Sequence, residues 1–147
     1  MLDRVKRECA ANLRKILRVP EPRVREIAEE AISAIMAADE CVMEIGHLSC
    51  VSTGRDVGEY WYAFDRELGT ARLQYLFVAP EARGRGYGKG AIAAIHDALS
   101  VRGCNCVELN VLASNAAALA LYRSCGYEVD SHEMICSLPS SAALKPD

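Results

Sequence analysis

The chain has 147 residues, 51% of them hydrophobic and 25% charged, which fits a single domain over 1–147 with a sizeable core. A net charge of −3 and a pI near 5.7 exclude a general nucleic-acid binder, because such binding neutralises many phosphates with clustered Lys and Arg. Seven cysteines, an odd count, and a start at Met1-Leu2-Asp3-Arg4-Val5-Lys6 without a secretory apolar core predict a cytoplasmic protein with reduced thiols. No apolar run reaches the ~18 residues of a membrane-spanning helix, so no membrane partner is expected. Cys104 and Cys106 form the one close cysteine pair, with no histidine or second pair at zinc spacing, and no metal is expected.

In chain order, Leu2, Val5, Cys9, Leu13, Ile16 and Leu17 recur at three- and four-residue steps and predict an amphipathic helix that stops at Val19-Pro20-Glu21-Pro22. A second helix follows Pro22, with Val24, Ile27, Ala31, Ile32 and Ile35 on its apolar stripe; both helices fall within 1–38 and read as packing elements. From Cys41 the period shortens to two. Residues 41–51 predict a strand bent or bulged at Gly46, 52–58 a turn, 59–65 an aromatic strand and 71–78 a third, so 41–78 is an antiparallel meander. His47, alone on its strand, reads as structural. Tyr60, Trp61, Tyr62 and Phe64 divide evenly between pocket lining and ordinary core.

The stretch Val78–Gly90 holds Gly84, Gly86, Gly88 and Gly90 with Arg83 and Arg85 between a strand and a helix. Strand, glycine turn and helix N-terminus together present backbone N–H groups to an anion, so the loop predicts phosphate binding. The spacing fits neither a P-loop, which needs four residues before Gly-Lys-Ser/Thr, nor a dinucleotide fingerprint, since Lys89 stands where the third glycine belongs. A helix over 91–99 then ends at Arg102-Gly103, followed by a strand over 106–112, a break at Ala113-Ser114-Asn115, and a helix over 116–125 stopped by Gly126. Tyr127–Asp130 and His132–Leu138 read as two last strands, with 140–147 a frayed tail.

Arg83-x-x-Gly86-x-Gly88 resembles the pyrophosphate loop of the GCN5-related N-acetyltransferase (GNAT) superfamily. Leu109-Asn110-Val111, Asn115, Leu121-Tyr122 and Gly126-Tyr127 resemble its second signature, in wording most similar to the ribosomal-protein N-terminal acetyltransferase branch. The resemblance implies an α/β fold with a mixed, mostly antiparallel sheet and helices on both faces, the family's first strand being absent or rebuilt. It implies acetyl-CoA as acyl donor and an amine-bearing acceptor. The sheet would part between the strands at 73–78 and 106–112, with pantetheine bonded to the main chain of Leu76, Phe77 and Val78. The pyrophosphate would lie on the N–H groups of Arg83, Gly84, Arg85, Gly86, Tyr87, Gly88 and Lys89, with Asn115 also on the cofactor. Tyr122 would protonate the leaving thiolate.

The carboxylate bases of known branches fall at Asn110 and Arg72 here, neither of them a base, which leaves Glu108 as the nearest substitute. Those two departures motivate a rival reading, an acyl-CoA-binding module without chemistry. Exposed strand edges leave room for a homodimer.

Overall fold

The computed structural model describes residues 41–136 together with Pro22, Arg23, Arg25, Glu26, Ile27, Glu29, Glu30 and Ser33, which are helical. The expected first helix, the question of a first strand and the 140–147 tail lie outside the described residues. The elements are β1 (Cys41–Ser49), β2 (Asp56–Asp65), β3 (Thr70–Val78), a 3-10 turn at Pro80–Ala82, α1 (Tyr87–Val101), β4 (Cys106–Leu109) and α2 (Ala116–Ser124). The sheet runs β1-β2-β3-β4, antiparallel at the first two junctions and parallel at the last, where α1 makes the crossover. This is the mixed, mostly antiparallel α/β architecture that the motifs implied.

Alternation along the strands sorts the aromatic residues. Tyr62 and Phe64 of β2, with Ala71 and Leu73 of β3, pack against Ile95 and Leu99 of α1 as the main core. Trp61 points to the opposite face, against Met43, Ile45 and Tyr75. Trp61, Tyr62 and Phe64 are only 1–2% exposed, so these three belong to the core rather than to an open pocket. A third cluster, Cys50, Val57 and Ala82, seals the end of the sheet beneath the glycine loop together with Val78 and Tyr87.

Three expectations are revised. The β1–β2 ladder runs unbroken through Gly46↔Tyr60, and its irregularity falls between Leu48 and Ser49. Gly46 is there for another reason: the Tyr60 ring fills the place a Cβ would take. A bulge sits instead in β3, where Trp61 pairs with Tyr75 and Tyr62 with Leu73, so Gln74 is the extra residue. His47 has a partner, Asp56 Oδ2 at 3.1 Å from its Nδ1, contributed by the neighbouring strand. Finally, residues 127–136 form no strand. Val129, Met134 and Ile135 are 51%, 91% and 60% exposed, so the alternation there has no packing surface to reward it, and an isolated hairpin is marginal in water.

Candidate functional site

β3 and β4 pair only over Thr70–Leu73 and Cys106–Leu109. Beyond Leu73 the β3–β4 ladder ends, and Gln74–Val78 runs on to the loop with no described strand paired on its β4 side. Leu76 and Leu109 flank this opening and pack on the main core together with Tyr122 of α2. Leu76, Phe77 and Val78, all half-buried, lie on this stretch beyond the ladder. One contact there is already made, because Arg83 Nε donates to the Val78 carbonyl oxygen at 2.9 Å. A carbonyl has a second lone pair, so Val78 can still accept once more.

The loop follows directly. Gly84 (φ 72°) and Gly86 (φ 84°) adopt left-handed conformations that side-chained residues avoid, and Gly86 caps α1. Around Gly84 and Gly86 nothing stands within 4 Å of where a Cβ would be, which leaves an open approach to the backbone. Gly88 is tight on its inner side, since a Cβ there would lie 3.1 Å from Leu121 Cδ2 of α2. The first ladder bond of the helix is Gly90 N–H to Gly86 O, at 2.9 Å. The N–H groups of Gly84, Arg85, Gly86, Tyr87, Gly88 and Lys89 donate to no described residue. Donors without a described partner and the positive end of α1 together suit an anion.

Side chains around that seat divide in a way the sequence did not show. Arg83 folds back on the strand, its guanidinium 5.8 Å from the Phe77 ring centre, and braces the loop as well as charging it. Arg85 and Lys89 are exposed. Tyr87 turns inward, its hydroxyl donating to Cys50 Sγ at 3.1 Å, so it can meet a ligand only through its backbone. Hydrogen bonds from Ser52, Thr53 and Tyr87 pull the Cys50 thiol down to about 6.

Asn115 caps α2, its Oδ1 accepting from Ala118 N–H at 3.1 Å, so only its NH₂ remains for a ligand. Tyr122 lies on the same helix, its ring packed on the core. Burial, and then the neighbouring Cys125, hold its phenol above the usual range, and the hydroxyl is therefore protonated at neutral pH. Glu108 is elsewhere. Val107 and Leu109 point to the core face that Tyr122 shares, so Glu108 projects from the other face, where Arg72 Nη2 holds its Oε2 at 2.8 Å. The residue expected as a substitute base is thus committed to the arginine that stands at the alternative base position. Among the described residues, no three or more His, Cys, Asp and Glu side chains gather as a metal site, and no helix is long and apolar enough to cross a membrane.

The parted strands, the glycine cradle and the capped helix bearing Tyr122 meet a corresponding family description: residues 12–127 match the acetyltransferase (GNAT) family. The chain belongs to that family. Over 74 residues it is 42% identical to the mycothiol acetyltransferase of Clavibacter michiganensis subsp. michiganensis, a match covering 50% of this chain and 24% of that protein. The chain thus spans about a quarter of that relative's length, and these matches lend no support to the ribosomal-protein branch suggested by the motif wording.

Among solved structures, the Bacillus subtilis protein YycN superposes with a TM-score of 0.77 at 19% identity, covering 95% of this chain and 90% of its own. AAC(6')-Iy in complex with the bisubstrate analogue CoA-S-monomethyl-acetylneamine superposes with a TM-score of 0.53 at 20% identity, covering 82% of each chain. At these identities the likeness is one of fold.

Within this GNAT framework the sequence missed residues joined across elements. His96 Nε2 of α1 lies 2.8 Å from the Tyr127 hydroxyl, and the Tyr127 ring meets Tyr122 edge-on at 5.6 Å between centres. Only the Gly126-Tyr127 wording hinted at this pairing. His96 carried no signal.

Proposed function

We propose that the protein transfers an acetyl group from acetyl-CoA to a primary amine, by direct attack within a ternary complex. The carrying observation is that uncommitted N–H groups of the glycine loop stand at one end of the β3–β4 opening while the protonated Tyr122 phenol belongs to the helix packed against it. The residues present suit a nucleotide thioester. Gly84 to Lys89 would hold the pyrophosphate, Leu76 to Val78 the pantetheine amides by strand-like bonding, and the Asn115 NH₂ a carbonyl. The thioester supplies an activated acyl group.

Tyr122 keeps its proton more tightly than a free thiol of pKa about 8.5. Its hydroxyl therefore works as a hydrogen-bond donor to the sulfur as negative charge develops there and the C–S bond breaks; the thiolate leaves as such or takes a proton from solvent, and Tyr122 keeps its own. The attacking amine loses its own proton to solvent, because Glu108 is tied to Arg72 on the far face.

Free thiol released from acetyl-CoA in the presence of polyamines, aminoglycosides and peptide N-termini tests the reading. Turnover that drops about 100-fold in Tyr122→Phe with acetyl-CoA affinity retained supports it. The Arg72–Glu108 pair favours one rival, an acyl-CoA-binding module without chemistry; acetyl-CoA binding with no thiol release from any amine would establish that reading instead.

A further inference from the structure

We infer that Tyr127, tied through its hydroxyl to His96, is a positioning residue that sets the Tyr122 ring at the β3–β4 opening. The inference rests on the assignment of Tyr122 as hydrogen-bond donor to the sulfur. Its starting point is the end of α2. Tyr127 N–H donates to Tyr122 O at 3.1 Å and Gly126 N–H to Arg123 O at 3.1 Å, while Gly126 sits at φ 91°. That is a Schellman turn, in which the chain reverses through a left-handed glycine and brings its next side chain back over the last helical turn.

Helix termination alone accounts for the backbone bonds and for a hydrophobic contact between the two rings. It does not account for His96. That residue comes from α1, 31 positions earlier, and its Nε2 is 2.8 Å from the Tyr127 hydroxyl, with the two rings 5.5 Å apart. Burial pushes the Tyr127 phenol up to about 12, so it stays protonated and donates whenever His96 presents a bare Nε2.

Packing by itself leaves the Tyr127 ring underdetermined. A cavity of about 280 Å³ opens beside it, lined by His96, Leu99, Cys104, Val107, Cys125 and Tyr127. A ring bordering this open cleft is packed on one side only, and a directional bond to α1 adds a constraint that packing on that side does not supply. Tyr122 in turn meets this anchored ring edge-on, and no described residue hydrogen-bonds its hydroxyl. The chain His96–Tyr127–Tyr122 thus links α1, whose N-terminus forms the anion seat, to the group that faces the sulfur.

The test is a double-mutant cycle on thiol release, using whichever of a polyamine, an aminoglycoside or a peptide N-terminus gives turnover. Tyr127→Phe keeps the ring and the Schellman turn but cuts the tie. It is expected to lower kcat about 5- to 10-fold with KM for acetyl-CoA within about 2-fold, and His96→Leu should do the same without adding to it. His96→Gln, still able to bond the phenol, should restore most of the loss. In a Tyr122→Phe background, Tyr127→Phe should change nothing further.

Equal losses in both backgrounds, a change in KM alone, or an unchanged kcat in Tyr127→Phe would each overturn the inference. Melting temperatures identify any variant that has merely lost its fold, in which case His96→Leu carries the same cycle. Should Tyr122→Phe retain full activity, or no amine turn over, the catalytic assignment fails and takes this inference with it. A crippled Tyr122→Phe beside an unaffected Tyr127→Phe sinks the positioning role alone.

Discussion

The hydroxyl of Tyr87 donates to Sγ of Cys50 at 3.1 Å, tying the first residue of α1 to the turn that follows β1. Cys50 also meets Ser52 Oγ at 3.2 Å, and hydrogen bonds from Ser52, Thr53 and Tyr87 pull its thiol down to about 6. An unfolded cysteine titrates near 8.5, so the folded state holds fewer protons between those values. The stabilising contribution is complete above pH ~8.5 and disappears as pH falls through about 6. Urea midpoints measured from pH 9 to pH 5 should therefore fall more steeply in the parent protein than in Cys50→Ala. Parallel curves would show that the thiol is neutral in the folded protein.

Gly86 is where the loop's backbone conformation and its proposed ligand chemistry coincide. At φ 84° an alanine is strained by about 1 kcal/mol, though its Cβ would meet nothing within 4 Å. Gly86→Ala should accordingly cost modest stability. Gly86→Glu adds a carboxylate at the proposed pyrophosphate seat, and CoA affinity measured by calorimetry should fall at least about 100-fold beyond the alanine variant. Equal affinities in the two variants would remove the pyrophosphate from this loop.

The features legible in the sequence are those set by local signals. The meander follows from period-two runs, the glycine turn into α1 from its glycines, and the two ends of α2 from Asn115 and Gly126, because each depends on residues within a few positions. Arg72 with Glu108, His47 with Asp56, Tyr87 with Cys50 and His96 with Tyr127 are 36, 9, 37 and 31 positions apart. Such pairs exist only once strand register and helix placement are set, and no spacing rule anticipates them. Gly46 shows the same limit from another side: its neighbours suggested a bend, whereas the reason for it lies on the next strand, in the Tyr60 ring. Residues 127–136 show the converse, a strand-like pattern that finds no ladder.

Gly46→Ala should displace Tyr60, since the new methyl would occupy the space of its ring. The displaced phenol would lose its 3.1 Å bond to Glu44 Oε1 and its stacking on Tyr62, whose ring centre lies 5.9 Å away. Overpacking of this kind costs about 1–3 kcal/mol. Gly46→Ala paired with Tyr60→Ala should recover part of that loss, a non-additivity readable by urea denaturation. Strictly additive losses would indicate that the ring moves aside without strain.

Arg72 and Glu108 meet at 2.8 Å with side chains 44% and 54% exposed, so solvent and salt screen them. An exposed pair of this kind contributes less than about 1 kcal/mol, and Glu108→Gln should barely alter stability. Its effect on catalysis is the sharper measurement. With the carboxylate committed to Arg72 on the face opposite Tyr122, Glu108→Gln should leave kcat within about 3-fold, and Arg72→Ala likewise. General-base catalysis contributes at least about 100-fold where it operates. A loss of that size in Glu108→Gln, together with a gain in Arg72→Ala as the carboxylate is released, would return Glu108 to the role of base and require the amine to approach from the Arg72 face.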